Sequence, residues 1–529
     1  MLLLYVVVVV AVVVVVAELL ALVAGRSSHN VALRAVTGPL APDGSQPDPP
    51  PGLAKSACWY IESTAADRPP VSCSFVEFDE RGDYLNFEQH RHAYERVGKL
   101  AGEKLPLTLV IFVHGWRHNG QSGNVLDFNQ FLSQLTAGYD DAGEPRRVHG
   151  IYLAWRGGLL RPTLKRDETF RQVKELYGGE IVDTRLAARW NNLNRILESF
   201  SYFDRKSVPE HKFGGTSFSR TLFTLAFTAK GKAPASEVFL IGHSFGGLLL
   251  ERTFQNAAIS QLTESWRMGQ ERHSDNVNPL PFDSVVLVNS AAPSIYAKQF
   301  QSYLAAHRQA MIRAGVVGAN APIFFSLTSE ADWATGKVHP IANRLAGLLP
   351  TLRRRYKGND FILEDAPGNR DVVIPQAYYY RHTPGHNPLL VNRFIEAFAA
   401  PPQGGGAGRS GYVRKNLTSG SGDPLQFTTS GAPGQPDRDW MINFPPQTEH
   451  WRQFSIYDGR RPVAWTIRNQ QYVYKDTAYW IVRCSKEIIS GHNDIWSQAA
   501  METYTALHQA ALVMRKQPLP APPSLAART

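Results

Sequence analysis

Short apolar runs alternating with longer segments of helical period place the strictest limit on what this chain can fold into. The runs are LTLVIFV at 107–113, GIYLAW at 150–155, EVFLIG at 237–242, SVVLVN at 284–289, IFFSLT at 323–328 and YWIVRC at 479–484. Each is short and rich in β-branched or aromatic residues, which suits a strand with both faces buried. Between them lie segments of helical spacing. DTRLAARWNNLNRILESF at 183–200 carries apolar residues at 186, 190, 193, 196 and 197, one face of a helix. Further helices are expected over 245–262, 296–313, 388–399 and 495–513. The pattern predicts an α/β fold with a mostly parallel sheet covered by helices. An earlier run, SFVEFD at 74–79, alternates apolar with polar and is expected to be an edge strand.

With 529 residues, 43% of them hydrophobic and 19% charged, the chain can bury a sizeable core, and disorder is excluded as its dominant state. Its net charge of +10 is dispersed, with neither zinc-finger spacing nor an RNA-binding aromatic signature, so nucleic acid is not an expected partner. Cys58, Cys73 and Cys484 form no CxxC pair, so no metal site is expected. Cys58 with Cys73 is the pair that an oxidising compartment would favour, and Cys484 reads as a buried thiol.

Residues 1–25, MLLLYVVVVVAVVVVVAELLALVAG, carry Glu18 as their only charge and are long enough to cross about 30 Å of hydrocarbon as a helix. No Lys or Arg precedes the stretch, as a cleaved signal peptide requires, so a retained single anchor is expected. Localisation at a membrane, in a cell envelope, follows, with the facing side left open. A Pro-rich linker at 26–57 would hold the folded body away from the bilayer. That body is expected over 58–514, with a cap insert at 157–236, a flexible Gly/Pro-rich insert at 401–437 and a disordered tail at 515–529.

The sharpest chemical signal is Gly242-His243-Ser244-Phe245-Gly246, a GxSxG pentapeptide directly after the apolar strand and directly before a helical segment. The glycines permit a bend too tight for a Cβ, which would leave Ser244 exposed on a strained turn at a helix N-terminus. A serine that attacks a carbonyl creates an oxyanion needing two converging N–H donors. One would come from Phe245. The other would come from Trp116 in Val113-His114-Gly115-Trp116, at the end of another apolar strand, where His114 is expected to shape the loop rather than move protons.

With HGW as oxyanion loop and GHSFG as nucleophile elbow, the chain resembles the α/β-hydrolases, in particular the serine esterases and lipases. The likeness runs from about residue 74 to 513, interrupted by the 340–470 region. It implies an eight-stranded, mostly parallel sheet, no cofactor, and a triad in the order serine, acid, histidine. The long interval between acid and histidine and the Gly/Pro-rich inserts depart from the family pattern. The acid belongs in the loop after IFFSLT, where Asp332 is preferred over Glu330. Two histidines sit in near-identical settings, Gly385-His386-Asn387 and Gly491-His492-Asn493. His492, after the last apolar strand, is preferred as the base, with His386 kept as the alternative.

The resulting expectation is a serine hydrolase of carboxylic esters, Ser244–His492–Asp332, acting on a small-molecule or lipid ester. Phe200, Tyr202, Phe203, Phe213, Phe218, Phe223 and Phe227 would wall an acyl or aryl pocket in the cap, or else belong to the core of ordinary helices. Amide or thioester hydrolysis or acyl transfer would use the same groups. A membrane-tethered binding protein of the same fold, without turnover, is the alternative from a different class.

Overall fold

The computed structural model describes residues 60–63, 71–155, 202–267, 281–313, 321–346, 361–399 and 479–516 with short internal gaps, plus four short strands between 417 and 469. The segments at 1–25 and 26–57, the helix expected over 183–200, most of the 401–437 insert and the tail beyond Lys516 lie outside the described residues. Among the described residues no helix is long and apolar enough to cross a membrane. The chain divides into two units, one of residues up to Ala137 with Arg146–Thr253, the other of Gly138–Pro145 with Phe254 onward.

The first unit contains β1 (Tyr60–Ser63), β2 (Val71–Phe78), α1 (Phe87–Ala101), β3 (Leu107–Val113), α2 (Asn124–Asp141, its last turn in the other unit), β4 (Arg147–Trp155), α3 (Tyr202–Ser207), α4 (Ser217–Lys232), β5 (Glu237–His243) and the start of α5 (Phe245–Arg267). Strand order is β1-β2-β4-β3-β5, with only β1 antiparallel. All seven residues of β3 are buried, as its unbroken apolar run requires. Asn86 caps α1 by accepting the Glu88 N–H, and α1 packs on β2 and α4.

Two expectations are corrected here. The run at 74–79 is not the sheet's edge strand, because β2 is buried along its whole length and lies between β1, which pairs with Val71–Ser74, and β4. Its alternating polar residues turn to internal partners: Ser72 and Ser74 hydroxyls bond the buried His149 ring, and Glu77 Oε2 accepts from the Gln89 amide, while Oε1 has no hydrogen-bond partner among the described residues. Within 157–236, the stretch Ser217–Lys232 is no cap, since α4 packs against β3 and β5. Phe213 and Phe218 meet Phe78 with ring centroids 6.3 and 5.3 Å apart and are core residues, while Phe227 is exposed.

The second unit contains β6 (Ser284–Val288), α6 (Ser294–Arg313), β7 (Phe324–Ser329), α7 (His339–Ala346), β8 (Phe361–Ala366), β9 (Arg370–Pro375), α8 (Gln376–Arg381), β10 (Arg393–Ala399), β11 (Leu417–Thr418), β12 (Pro424–Leu425), β13 (Arg452–Gln453), β14 (Val463–Asn469), β15 (Tyr479–Cys484) and α9 (Gln498–Lys516). Its main strand order is β6-β7-β15-β10-β14-β13, parallel as far as β10 and antiparallel beyond. The helix expected over 388–399 is instead β10. Phe394, Ile395 and Phe398 fit a helical stripe, but the segment pairs with β14 and β15, and aromatic and β-branched residues serve a strand equally well.

The last helix is tied to the start of β6. Arg515 donates to the Asp283 carboxylate and to the Phe282 carbonyl, and the Ser284 hydroxyl bonds the buried His508 ring. Both units are thus α/β, with mostly parallel sheets covered by helices. In such sheets chemistry gathers beyond the carboxyl ends of the strands. Those ends carry His114 after β3, Ser244 after β5, Asn289 after β6, Asp332 after β7 and His492 after β15.

Candidate active site

In the first unit, β5 turns into α5 through one residue, Ser244, whose φ is 53°, the left-handed region that costs a non-glycine residue energy. The bend survives because its neighbours are packed backbone to backbone. A Cβ on Gly246 would lie 2.2 Å from the Val113 carbonyl oxygen, and one on Gly115 would lie 2.8 Å from the Ser244 Cβ. Only glycine lets the β3 and β5 ends approach this closely. The same crowding corrects one expectation: Ser244 does not stand exposed but is 3% accessible.

His114 is fully buried, and both ring nitrogens are engaged. Its Nδ1–H donates to the Gly115 carbonyl at 2.9 Å, and its Nε2 accepts the Trp155 N–H at 3.1 Å. The Trp155 indole N–H donates to the His114 carbonyl, with the two rings stacked 4° from parallel. Burial drives its pKa down to about 3, so the ring is neutral and braces the loop. Trp116 follows this loop, and Phe245 opens α5, where first-turn N–H groups have no acceptor within the helix. Their rings lie 6.1 Å apart, and Tyr202 packs on both, at 5.6 and 5.4 Å. Sequence reasoning counted Tyr202 only among the cap aromatics. Its position on α3, far from both motifs in sequence, gives no signal of that contact.

In the second unit, Asp332 and His492 are brought together by adjacent parallel strands. β7 and β15 pair in register from Phe324 with Tyr479 to Ser329 with Cys484, so the loops that follow emerge side by side. The His492 Nδ1–H donates to Asp332 Oδ1 at 2.9 Å. The carboxylate is fully buried, whereas the imidazole keeps 21% of its side-chain surface accessible.

Asp332 Oδ1 also accepts the Thr335 N–H at 3.1 Å, and the Thr335 hydroxyl donates to Oδ2. Burial pulls the Asp332 pKa upward, but the bonds from His492 and Thr335 outweigh it and leave the carboxyl below its ordinary range. An ionised Asp332 can only accept, which fixes the His492 proton on Nδ1 and leaves Nε2 as the basic nitrogen. Glu330, the other acid considered, is exposed and accepts the Lys486 N–H.

His386 lies close to this pair without joining it. Its Nδ1 is 3.2 Å from the Thr383 hydroxyl and 3.4 Å from that of Thr335, and Gly336 leaves the room its ring fills. Because the Thr335 proton goes to Asp332, the His386 Nδ1–H is the donor here. Burial, opposed by Asp332, lowers the His386 pKa to about 4. It therefore backs the residue that anchors the acid.

Thr335 had no sequence signal beyond its closeness to Asp332, because its role depends on the turn at Ala334–Val338. Compared with protein-family models, curated proteins and solved structures, the chain matches none.

Proposed function

We propose that this chain is a serine hydrolase of carboxylic esters with the α/β-hydrolase fold, in which Ser244, His492 and Asp332 form the triad. The observation that carries the reading is the Asp332–His492 hydrogen bond, built at the ends of β7 and β15, in a chain whose β5 end holds a serine at positive φ. Few structural demands other than nucleophilic catalysis call for both arrangements at strand carboxyl ends.

In this reading His492 Nε2 takes the Ser244 proton as Oγ attacks the ester carbonyl, and Asp332 stabilises the imidazolium without becoming protonated. The Trp116 and Phe245 N–H groups hold the oxyanion. The tetrahedral intermediate collapses, the alcohol leaves with the proton from His492, and Ser244 is left acylated. Water, deprotonated by the same nitrogen, then attacks the acyl carbonyl. Its collapse frees the carboxylic acid and returns the proton to Ser244.

The apolar segment at 1–25 adds a membrane tether to the proposal, which favours lipid esters reaching the site from a bilayer. Treatment of the full chain with a fluorophosphonate probe tests the reading. Covalent labelling of wild type but not of Ser244→Ala, together with hydrolysis of short- or long-chain esters, supports it. A folded wild type that neither labels nor hydrolyses makes the chain a non-catalytic member of the fold.

A further inference from the structure

At the end of β6, in the second unit's parallel set, the sequence offers an amide in place of an acid or base. Asn289 stands there fully buried at φ 46°, a backbone state that asparagine tolerates better than most residues. Its side chain spans the neighbouring strand. Oδ1 accepts the N–H of Ser329, the last residue of β7, at 3.0 Å. Nδ2 donates to the carbonyls of Gly491 and His492, at 3.2 and 3.1 Å. β7 lies between β6 and β15, so this single amide reaches from its own strand across the acid's strand to the base's loop.

Ser329 extends the seam. Its hydroxyl donates to the Ile489 carbonyl at 2.5 Å and accepts the Ala331 N–H at 3.0 Å, one residue before Asp332. The backbones that carry acid and base are therefore stitched to each other through Asn289 and Ser329, independently of the Asp332–His492 bond.

We infer that Asn289 is a positioning residue that sets the His492 imidazole against Asp332 by clamping the backbone of residues 491–492 to the end of β7. An asparagine suits this place because one planar group must supply an acceptor on one side and two donor hydrogens on the other. Aspartate has the same shape but donates nothing and would face two carbonyl oxygens with a negative charge. The inference rests on the triad reading for its kinetic consequences, although the clamp itself is a matter of geometry.

Two variants separate positioning from fold. Asn289→Gly keeps the positive φ without strain and deletes only the amide, whereas Asn289→Asp keeps the volume and removes the donors. The measurements on the full chain are the far-downfield proton resonance of His492 Nδ1–H, the fluorophosphonate labelling rate, and the pH dependence of kcat/KM on an ester.

In Asn289→Gly the resonance is expected to broaden or shift. Labelling and kcat should fall about 10- to 100-fold with KM within about twofold, as expected for a misplaced catalytic group. The pH profile of kcat/KM should change along with the resonance, in Asn289→Asp as in Asn289→Gly. A merely structural amide would lower thermal stability but leave the resonance and the pH profile in place. That outcome in a folded variant overturns the inference.

If Asn289→Gly fails to fold, Asn289→Asp decides by the same readings. If wild type neither labels nor turns over ester, the triad reading fails, and the resonance alone still judges the clamp.

Discussion

At Ser244 the positioning contacts are backbone against backbone, and at Asp332 they are side-chain hydrogen bonds. The first set tolerates no added atom: Gly246 and Gly115 each lack room for a Cβ, and the nearby His114 is neutral and spends both nitrogens on the loop. The second set depends on the match of donor and acceptor, because Thr335, His492, Asn289 and Ser329 each make directed bonds. In the proposed reading the nucleophile is held in a strained bend, which steric confinement achieves. An acid–imidazole pair must keep one tautomer, which directed donors achieve. Damage should therefore appear as unfolding in one region and as lost chemistry in the other.

The largest effect sharpens that contrast. Asp332→Asn should lower kcat by about 10⁴-fold through the wrong imidazole tautomer, with the folded structure unchanged by circular dichroism. Gly246→Ala belongs to the opposite kind: chemical denaturation should show a loss of about 3 kcal/mol or more, since the new Cβ would overlap the Val113 carbonyl. A stable Gly246→Ala with full activity would break the comparison.

The third test probes electrostatics inside the first unit. Burial raises the Glu77 carboxyl to about 7 from an ordinary value of 4.5, with the Gln89 hydrogen bond acting weakly against it. Between these values the folded chain holds a proton that the unfolded chain releases, so stability is greatest below about pH 4.5 and declines as pH rises through about 7. Glu77→Gln should remove that decline. It should match wild type near pH 5 and exceed it by about 2–3 kcal/mol at pH 8, measured by denaturant titration at both values.

The smallest effect is expected from Thr335→Val, which deletes one donor to a buried carboxylate. It should cost about 1–2 kcal/mol of stability near pH 7, with the loss shrinking as pH falls and Asp332 protonates. Equal losses at pH 7 and pH 3 would place the cost in packing rather than in the hydrogen bond.

Most of the strands were legible because each is a short apolar run with both faces buried, and β3, β5, β7 and β15 fall within a residue of the expected bounds. The bend at Ser244 was legible because its constraint is local: glycines two residues to either side of a serine. The choice of Asp332 rested on chain order, and the register of β7 with β15 is what gives it a partner. Three features escaped. β10 reads as a helix until β14 and β15 claim it, the polar residues of β2 look outward until His149 and Gln89 bond them, and Asn289 looks like the mere absence of an acid. Each depends on a neighbour far away in sequence, which periodicity cannot report.

The place of β15 has a consequence for biosynthesis. Although it is the last of the described strands along the chain, it lies between β7 and β10, which leave the ribosome much earlier. Until Tyr479–Cys484 emerges, β7 presents an open hydrogen-bonding border on which other chains could pair. Closing that gap joins residues distant along the polypeptide, a slow step entropically. The sheet of the second unit therefore stays unclosed until this strand has been made, and a chain truncated before it would be a sticky product rather than a smaller working one.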